Sequence, residues 1–188
     1  ETKLKKNGFF VEIGAANGIE LSNTYLLETE FNWKGILVEP AKAWHKNLKK
    51  NRKVVIEEKC IWKSSNASIL FNETLNPVYS TISRYNLSDF HHNKRKNGTS
   101  YYVKTITLLD LLKSHKAPKV IDYLSIDTEG SEYEILRTFD FSKYQIKIIT
   151  CEHNYNKNRK KINKLLKSKG FSVKYSGLSR WDDWYVKL

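Results

Sequence analysis

The sequence has no methionine, two cysteines, three prolines and eight glycines, and no uninterrupted apolar run of about 18 residues or more. Without such a run no segment spans a membrane as a helix. Cys60 and Cys151 are too few for a disulfide framework and form no CxxC pair that would hold structural zinc. A reducing compartment, the cytoplasm, is therefore expected. Glu1–Asn7 is charged and lacks the apolar stretch of a secretory signal. Methionine is missing even at position 1, so the 188 residues read as a piece of a longer chain, fused to other domains. With no internal repeat and no Pro-rich or Gly/Ser-rich linker, residues 1–188 are expected to form one domain.

What the chain does have is charge and aromatic rings. Lys and Arg number 33 against 20 Asp and Glu, a formal charge of +13, and 40% hydrophobic residues exclude a disordered chain. The basic balance suits nucleic acid, a membrane surface or a phosphorylated substrate, and so names partners without chemistry. The cations cluster at Lys3–Lys6, Lys42–Lys53, His91–Lys96, Lys157–Lys169 and around Arg180, and most read as solvated helix faces.

Apolar runs alternate with helical spacing. Gly8–Gly14 reads as a buried strand ending in a glycine turn, followed by a helix over 19–31. Lys34–Pro40 is a second strand, 41–51 a basic amphipathic helix, and Val54–Ile56 opens a third strand running toward Trp62. Ser68–Phe71 fits a strand, and Asn76–Thr99 reads as a polar loop, a feature more often functional than neutral. Thr107–His115 is a helix, Val120–Ile126 a strand ending at Asp127, and Ser131–Phe139 a helix. Ile146–Cys151 is a strand ending at Glu152, Arg159–Lys169 a helix closed by Gly170, and Phe171–Tyr175 and Trp184–Leu188 are two final strands. The alternation predicts an α/β fold with a mostly parallel sheet covered on both faces, and a ligand at the carboxyl ends of its strands.

The turn Glu12-Ile-Gly14-Ala-Ala-Asn17-Gly18 is not GxGxxG, the spacing a phosphate cradle needs. An acid two residues before the first glycine suits a cationic amino group instead. Glu39, at the end of the second strand, is placed to accept hydrogen bonds from a ribose diol. A ligand with an amino-acid end and a ribose is S-adenosylmethionine (SAM).

Several blocks then carry a family resemblance: Phe10–Gly18, Ser22-Asn23-Thr24 with Leu27-Glu28, Trp33–Pro40, Leu124–Leu136 and Cys151–Asn154. In this order at strand ends they resemble the FkbM-type methyltransferases, SAM-dependent O-methyltransferases of class I. The resemblance implies a Rossmann-like, central, mostly parallel seven-stranded sheet with helices on both faces. It also implies that Glu12, Gly14, Ala15, Ala16, Asn17 and Gly18 line the methionine end of SAM, and that Ser22, Asn23 and Thr24 contact its carboxylate. Glu39 and Pro40 would sit at the ribose, Cys60 and Ile61 at the adenine, and Asp127 at the cofactor edge. The implied acceptor is a carbohydrate or glycan, in phosphorylated or nucleotide-linked form where the basic surface is engaged, rather than nucleic acid.

A neutral hydroxyl is a poor nucleophile and needs a base or a metal ion. Asp127, Glu152 and His153 end two adjacent strands. They fit either a site for Mg²⁺ or Mn²⁺ or a plain general base. Glu134 reads as the solvated face of its helix. In the middle loop Tyr79, Arg84, Tyr85, His91 and His92 combine rings with charge and are candidate acceptor contacts. Competing readings are an RNA ribose methyltransferase, which the charge favours, and a SAM-binding module without activity.

Overall fold

The computed structural model describes residues 4–188; Lys3, part of the first basic cluster, lies outside the described residues. Seven strands form the main sheet: β1 (Phe9–Ile13), β2 (Lys34–Val38), β3 (Val55–Glu57), β8 (Val120–Ile126), β9 (Gln145–Glu152), β10 (Phe171–Lys174) and β11 (Asp182–Lys187). Their order is β10-β11-β9-β8-β1-β2-β3. The β3, β2, β1, β8 and β9 strands run parallel, and β11 lies antiparallel between β9 and β10. The order reverses at β1, between β2 and β8, where sheets of this kind open a ligand crevice.

The parallel strands are apolar runs because both of their faces are covered. On one face Val11, Ile13, Leu124 and Ile126 pack with Leu111 and Leu112 of α3 (Leu108–Ser114), Ile135 and Leu136 of α4 (Glu132–Thr138), and Ile162 and Leu166 of α5 (Asn158–Ser168). On the other, Phe10, Leu37 and Tyr123 pack with Trp33 and with Leu48 of α2 (Lys42–Asn51). In α5 the buried pair falls at i, i+4, so its lysines take the solvent side.

Three expectations change. The helix expected over 19–31 shrinks to α1 (Tyr25–Thr29). Asn17 Oδ1 accepts the N–H groups of Ile19 and Glu20, and Gly18 and Leu21 take φ of 81° and 59°, so the chain loops before it can coil. The third strand divides after Glu57. Its continuation, β4 (Cys60–Ile61), leaves the main sheet to pair with β7 (Thr99–Ile106). The presumed polar loop is ordered. Together with β5 (Ser68–Glu73) and β6 (Thr81–Ile82), β7 and β4 make a second sheet of order β4-β7-β5-β6. Short 3₁₀ turns at Pro77–Tyr79, Ser83–Tyr85 and Phe90–Arg95 complete this insertion. Its small core is Ala41, Cys60, Trp62, Phe71, Ile82 and Val103.

Candidate active site

At the switch point the chain leaves β1 through Gly14, whose φ is 88°. A Cβ there would stand 1.9 Å from the Asp127 carbonyl oxygen, so only glycine lets this turn lie on the end of β8. The turn, the residues that follow β2 and β8, β4 and the insertion together line a cleft. Of the expected cofactor positions, Gly14, Ala15, Ala16, Ser22, Glu39, Pro40, Cys60, Ile61 and Asp127 line it.

Glu12, Asn17, Gly18, Asn23 and Thr24 do not line the cleft, and their contacts explain why. The Glu12 carboxylate accepts from Thr24 Oγ1 (2.6 Å), Asn23 N–H (2.8 Å) and Ser22 Oγ (2.9 Å), with Arg52 Nη1 at 3.7 Å. Burial pushes its pKa up while these donors pull it down. Arg52 is buried as well and donates to Glu28 Oε2 (2.5 Å), Gly18 O (2.9 Å), Ser22 Oγ (3.1 Å) and Thr24 Oγ1 (2.9 Å). Glu12 and Arg52 thus form an ion-paired brace beneath the loop, with Glu12 outside the lining of the cleft. Glu39 does face the cleft, fixed by the N–H groups of Ala16 and Ala41 at 2.8 Å each. Burial outweighs these two bonds and raises its pKa to about 7.

The cleft floor is acidic: Asp127 and Glu129 line it, and the buried Glu152 adjoins them outside the lining. One carboxylate oxygen each from Asp127, Glu129 and Glu152 lies within 4.8 Å of the others. Lost hydration comes first for all three. In Glu129 and Glu152 repulsion by Asp127 follows, raising Glu129 to about 9 and holding Glu152 well above the usual carboxylate range; Asp127, the most open of the three, is raised to about 7, with Asp182 and Glu132 adding repulsion. The Asp127 and Glu152 carboxylates stand close enough to compete for one proton. Glu129, at φ 57°, accepts from Arg95 Nη2 (2.5 Å) and Asn154 Nδ2 (3.1 Å). Glu134 is a surface residue paired with Arg137, whereas its neighbour Glu132 is wholly buried. Glu132 Oε1 accepts from Thr128 N–H, Thr128 Oγ1 and Gly130 N–H, and its Oε2 has no partner among the described residues. Left-handed backbone recurs around the cleft at Ala16, Leu21, Glu129, Asn154 and Tyr155, a concentration typical of functional loops.

His153 does not join the acidic floor. Side chains alternate along a strand, so the residue after Glu152 turns to the other side. Its Nδ1 accepts the Tyr155 N–H at 3.1 Å and its Nε2 stands 3.9 Å from Asp183 Oδ1. Glu129 takes the third corner that His153 was expected to fill. Burial, then the nearby Arg159, lowers the His153 pKa.

The expected acceptor residues separate into two groups. Tyr79 and His91 stack at 4.7 Å between ring centres, and Phe90 adjoins His91 at 4.0 Å. Arg84 instead lies over the Trp62 and Tyr85 rings, the Tyr85 ring backs the Gly130 turn, and His92 Nδ1 meets Asp89 O. Arg95, in the basic cluster His91–Lys96, is buried between Asp89 and Glu129.

The family model described as the methyltransferase FkbM domain matches residues 12–173. No curated protein matches the sequence. Among solved structures, the methyltransferase FkbM from Methylobacillus flagellatus KT aligns with a TM-score of 0.57 at 11% identity, over 96% of this chain and 43% of its own. This chain therefore spans less than half of that protein. The N-terminal domain of human METTL16 aligns at 0.51 and 13% identity, over 97% of this chain and 62% of its own. Precorrin-6y C5,15-methyltransferase from Geobacter metallireducens GS-15 aligns at 0.50 and 12%, over 98% of this chain and 83% of its own. At such identities the structures share a Rossmann-like methyltransferase fold. The family match covers the β1 turn, Glu39, the acidic floor and the insertion together, and the chain belongs to the FkbM methyltransferase domain family.

Proposed function

We propose that this domain transfers a methyl group from SAM to a hydroxyl of a carbohydrate or glycan. The observation that carries the reading is one continuous cleft with Glu39 on its wall and Asp127 on its floor, at the switch point of the sheet.

The residues present suit SAM. Gly14, Ala15 and Ala16 offer a wall of minimal side chains. Each Glu39 oxygen spends one lone pair on a backbone N–H and keeps another for a ribose hydroxyl. Ile61 and Cys60 give the apolar surface that an adenine ring needs. Bound SAM supplies an activated methyl on a sulfonium. Asp127 and Glu152 then have the chain's own task, to orient the acceptor hydroxyl and take its proton. A group with its pKa near 7 is well matched to that task at neutral pH. A divalent cation held by Asp127, Glu129 and Glu152 fits the same oxygen donors and would lower the hydroxyl's pKa further. The acidic floor speaks against a polyanionic RNA strand as acceptor, despite the +13 total. A cytoplasmic site of action fits the two free, buried thiols, which burial keeps protonated, with Cys60 pushed up to about 12.

Titration calorimetry with SAM, followed by methyl transfer from labelled SAM to glycans and to RNA, tests this reading. SAM binding with transfer to glycans supports it. Absence of SAM binding, or transfer to RNA alone, overturns it. Loss of activity in EDTA with recovery in Mn²⁺ is expected for the cation, and unchanged activity in EDTA would remove the cation from the proposal.

A further inference from the structure

Two segments far apart in sequence meet beside the acidic floor. The Phe90 ring, on the insertion, packs 5.6 Å from Trp181, and Trp181 packs 5.9 Å from Tyr155. All three remain open to solvent, at 50%, 43% and 61% exposure. Behind them, His91 and Tyr79 extend the row on one side and His153 on the other. Chains usually cover neighbouring exposed rings, so a row left open beside a cleft marks a binding surface.

Both ends of the row are tied to the floor. At one end Arg95 links Tyr79 O (2.9 Å) and Asp89, the cap of the Phe90–Arg95 turn, to Glu129. At the other, Trp181 O accepts the His153 N–H (2.8 Å), and Asp182 registers opposite Glu152 across β11 and β9. The rings and the carboxylates are therefore held in one frame.

Flat apolar faces beside carboxylate acceptors are complementary to one ligand chemistry, a ring with a C–H face and a rim of hydroxyls. A nucleobase would find the faces, but its phosphates would meet Asp127, Glu129, Glu152 and Asp182. We propose that Phe90, Trp181 and Tyr155 form a pyranose-stacking platform that delivers an acceptor hydroxyl to the carboxylate floor. This inference rests on the proposed methyl transfer to a glycan and names the surface that selects the acceptor.

Saturation-transfer difference NMR on the full chain tests it, with methyl α-D-glucopyranoside, methyl β-D-galactopyranoside and methyl α-D-mannopyranoside as probes and oligouridylate as comparison. Saturation is expected on the C–H protons of at least one glycoside. Phe90→Ala, Trp181→Ala and Tyr155→Ala should each weaken that glycoside's binding by about tenfold, roughly one lost stacking contact, with SAM affinity by calorimetry unchanged. No saturation of any glycoside, equal saturation in all three variants, or saturation confined to uracil protons would overturn the platform. Glycan methylation with an unaltered acceptor KM in all three variants would overturn the platform and leave the methyl-transfer reading standing. Glycoside saturation without SAM binding would do the reverse.

Discussion

Replacing Arg52 with methionine removes the guanidinium that braces the loop between β1 and α1. Four hydrogen bonds go with it, to Glu28, Gly18, Ser22 and Thr24, together with the cation nearest Glu12. Breaking a buried ion pair by deleting one partner costs about 3–5 kcal/mol, because the other charge stays buried. Glu12 keeps its donors from Ser22, Asn23 and Thr24, and Glu28 keeps the Lys53 N–H, which places the loss at the low end, about 3 kcal/mol. For a chain of this length that lowers the Tm by about 6–12 °C. Urea unfolding followed by circular dichroism measures it, an unchanged m-value identifying the change as one of stability. Arg52→Lys retains charge without the forked donors and should fall between. Adding Glu12→Gln to Arg52→Met should recover part of the loss, since the most deeply buried carboxylate no longer carries an unpaired charge. A variant within about 1 kcal/mol of the parent would show that Arg52 behaves as a surface pair, and would refute the brace.

Gly14→Ala puts a Cβ against the Asp127 carbonyl at a φ that disfavours it, and neither strand end can retreat. Loss of about 3 kcal/mol or more in thermal unfolding is expected, and a Tm within about 2 °C of the parent would contradict the packing of this turn. Glu39 has a higher pKa folded, about 7, than its ordinary 4.5, so across that interval the folded chain binds the extra proton. Its stabilising share is full below about pH 4.5 and is lost as the pH rises to about 7. Urea stability of the parent should therefore fall between pH 5 and pH 8, and Glu39→Gln should flatten the fall by about 3 kcal/mol at most. Parallel pH profiles for the two proteins would show that Glu39 titrates normally.

The inner strands β1, β2, β8 and β9 were legible because they are buried on both faces and appear as apolar runs, each ending at a glycine or an acid. The insertion was less so. Residues 99–106, Thr-Ser-Tyr-Tyr-Val-Lys-Thr-Ile, show no strict alternation, and their pairing with residues 68–73 is a long-range choice that no local signal announces. Arg52 stands within a lysine-rich helix that reads as solvated, and Arg95 within a basic loop, yet each is buried against carboxylates distant in sequence. Of the acidic floor, Asp127 and Glu152 were marked by strand ends. Glu129 was not, because its position depends on the left-handed backbone of the loop. The ring row joins residues about ninety positions apart in the chain, Phe90 and Trp181, which composition cannot pair.

The insertion is stitched to the loop after β8 at three points: Thr81 Oγ1 donates to the carbonyls of Thr128 and Glu129, Tyr85 backs Gly130, and Arg95 holds the Glu129 carboxylate. The main sheet and the insertion are therefore not interchangeable modules. Grafting another insertion onto this sheet would also reset the proton affinity of Glu129. A successful chimera would have to carry Thr81, Tyr85 and Arg95 across with the grafted segment.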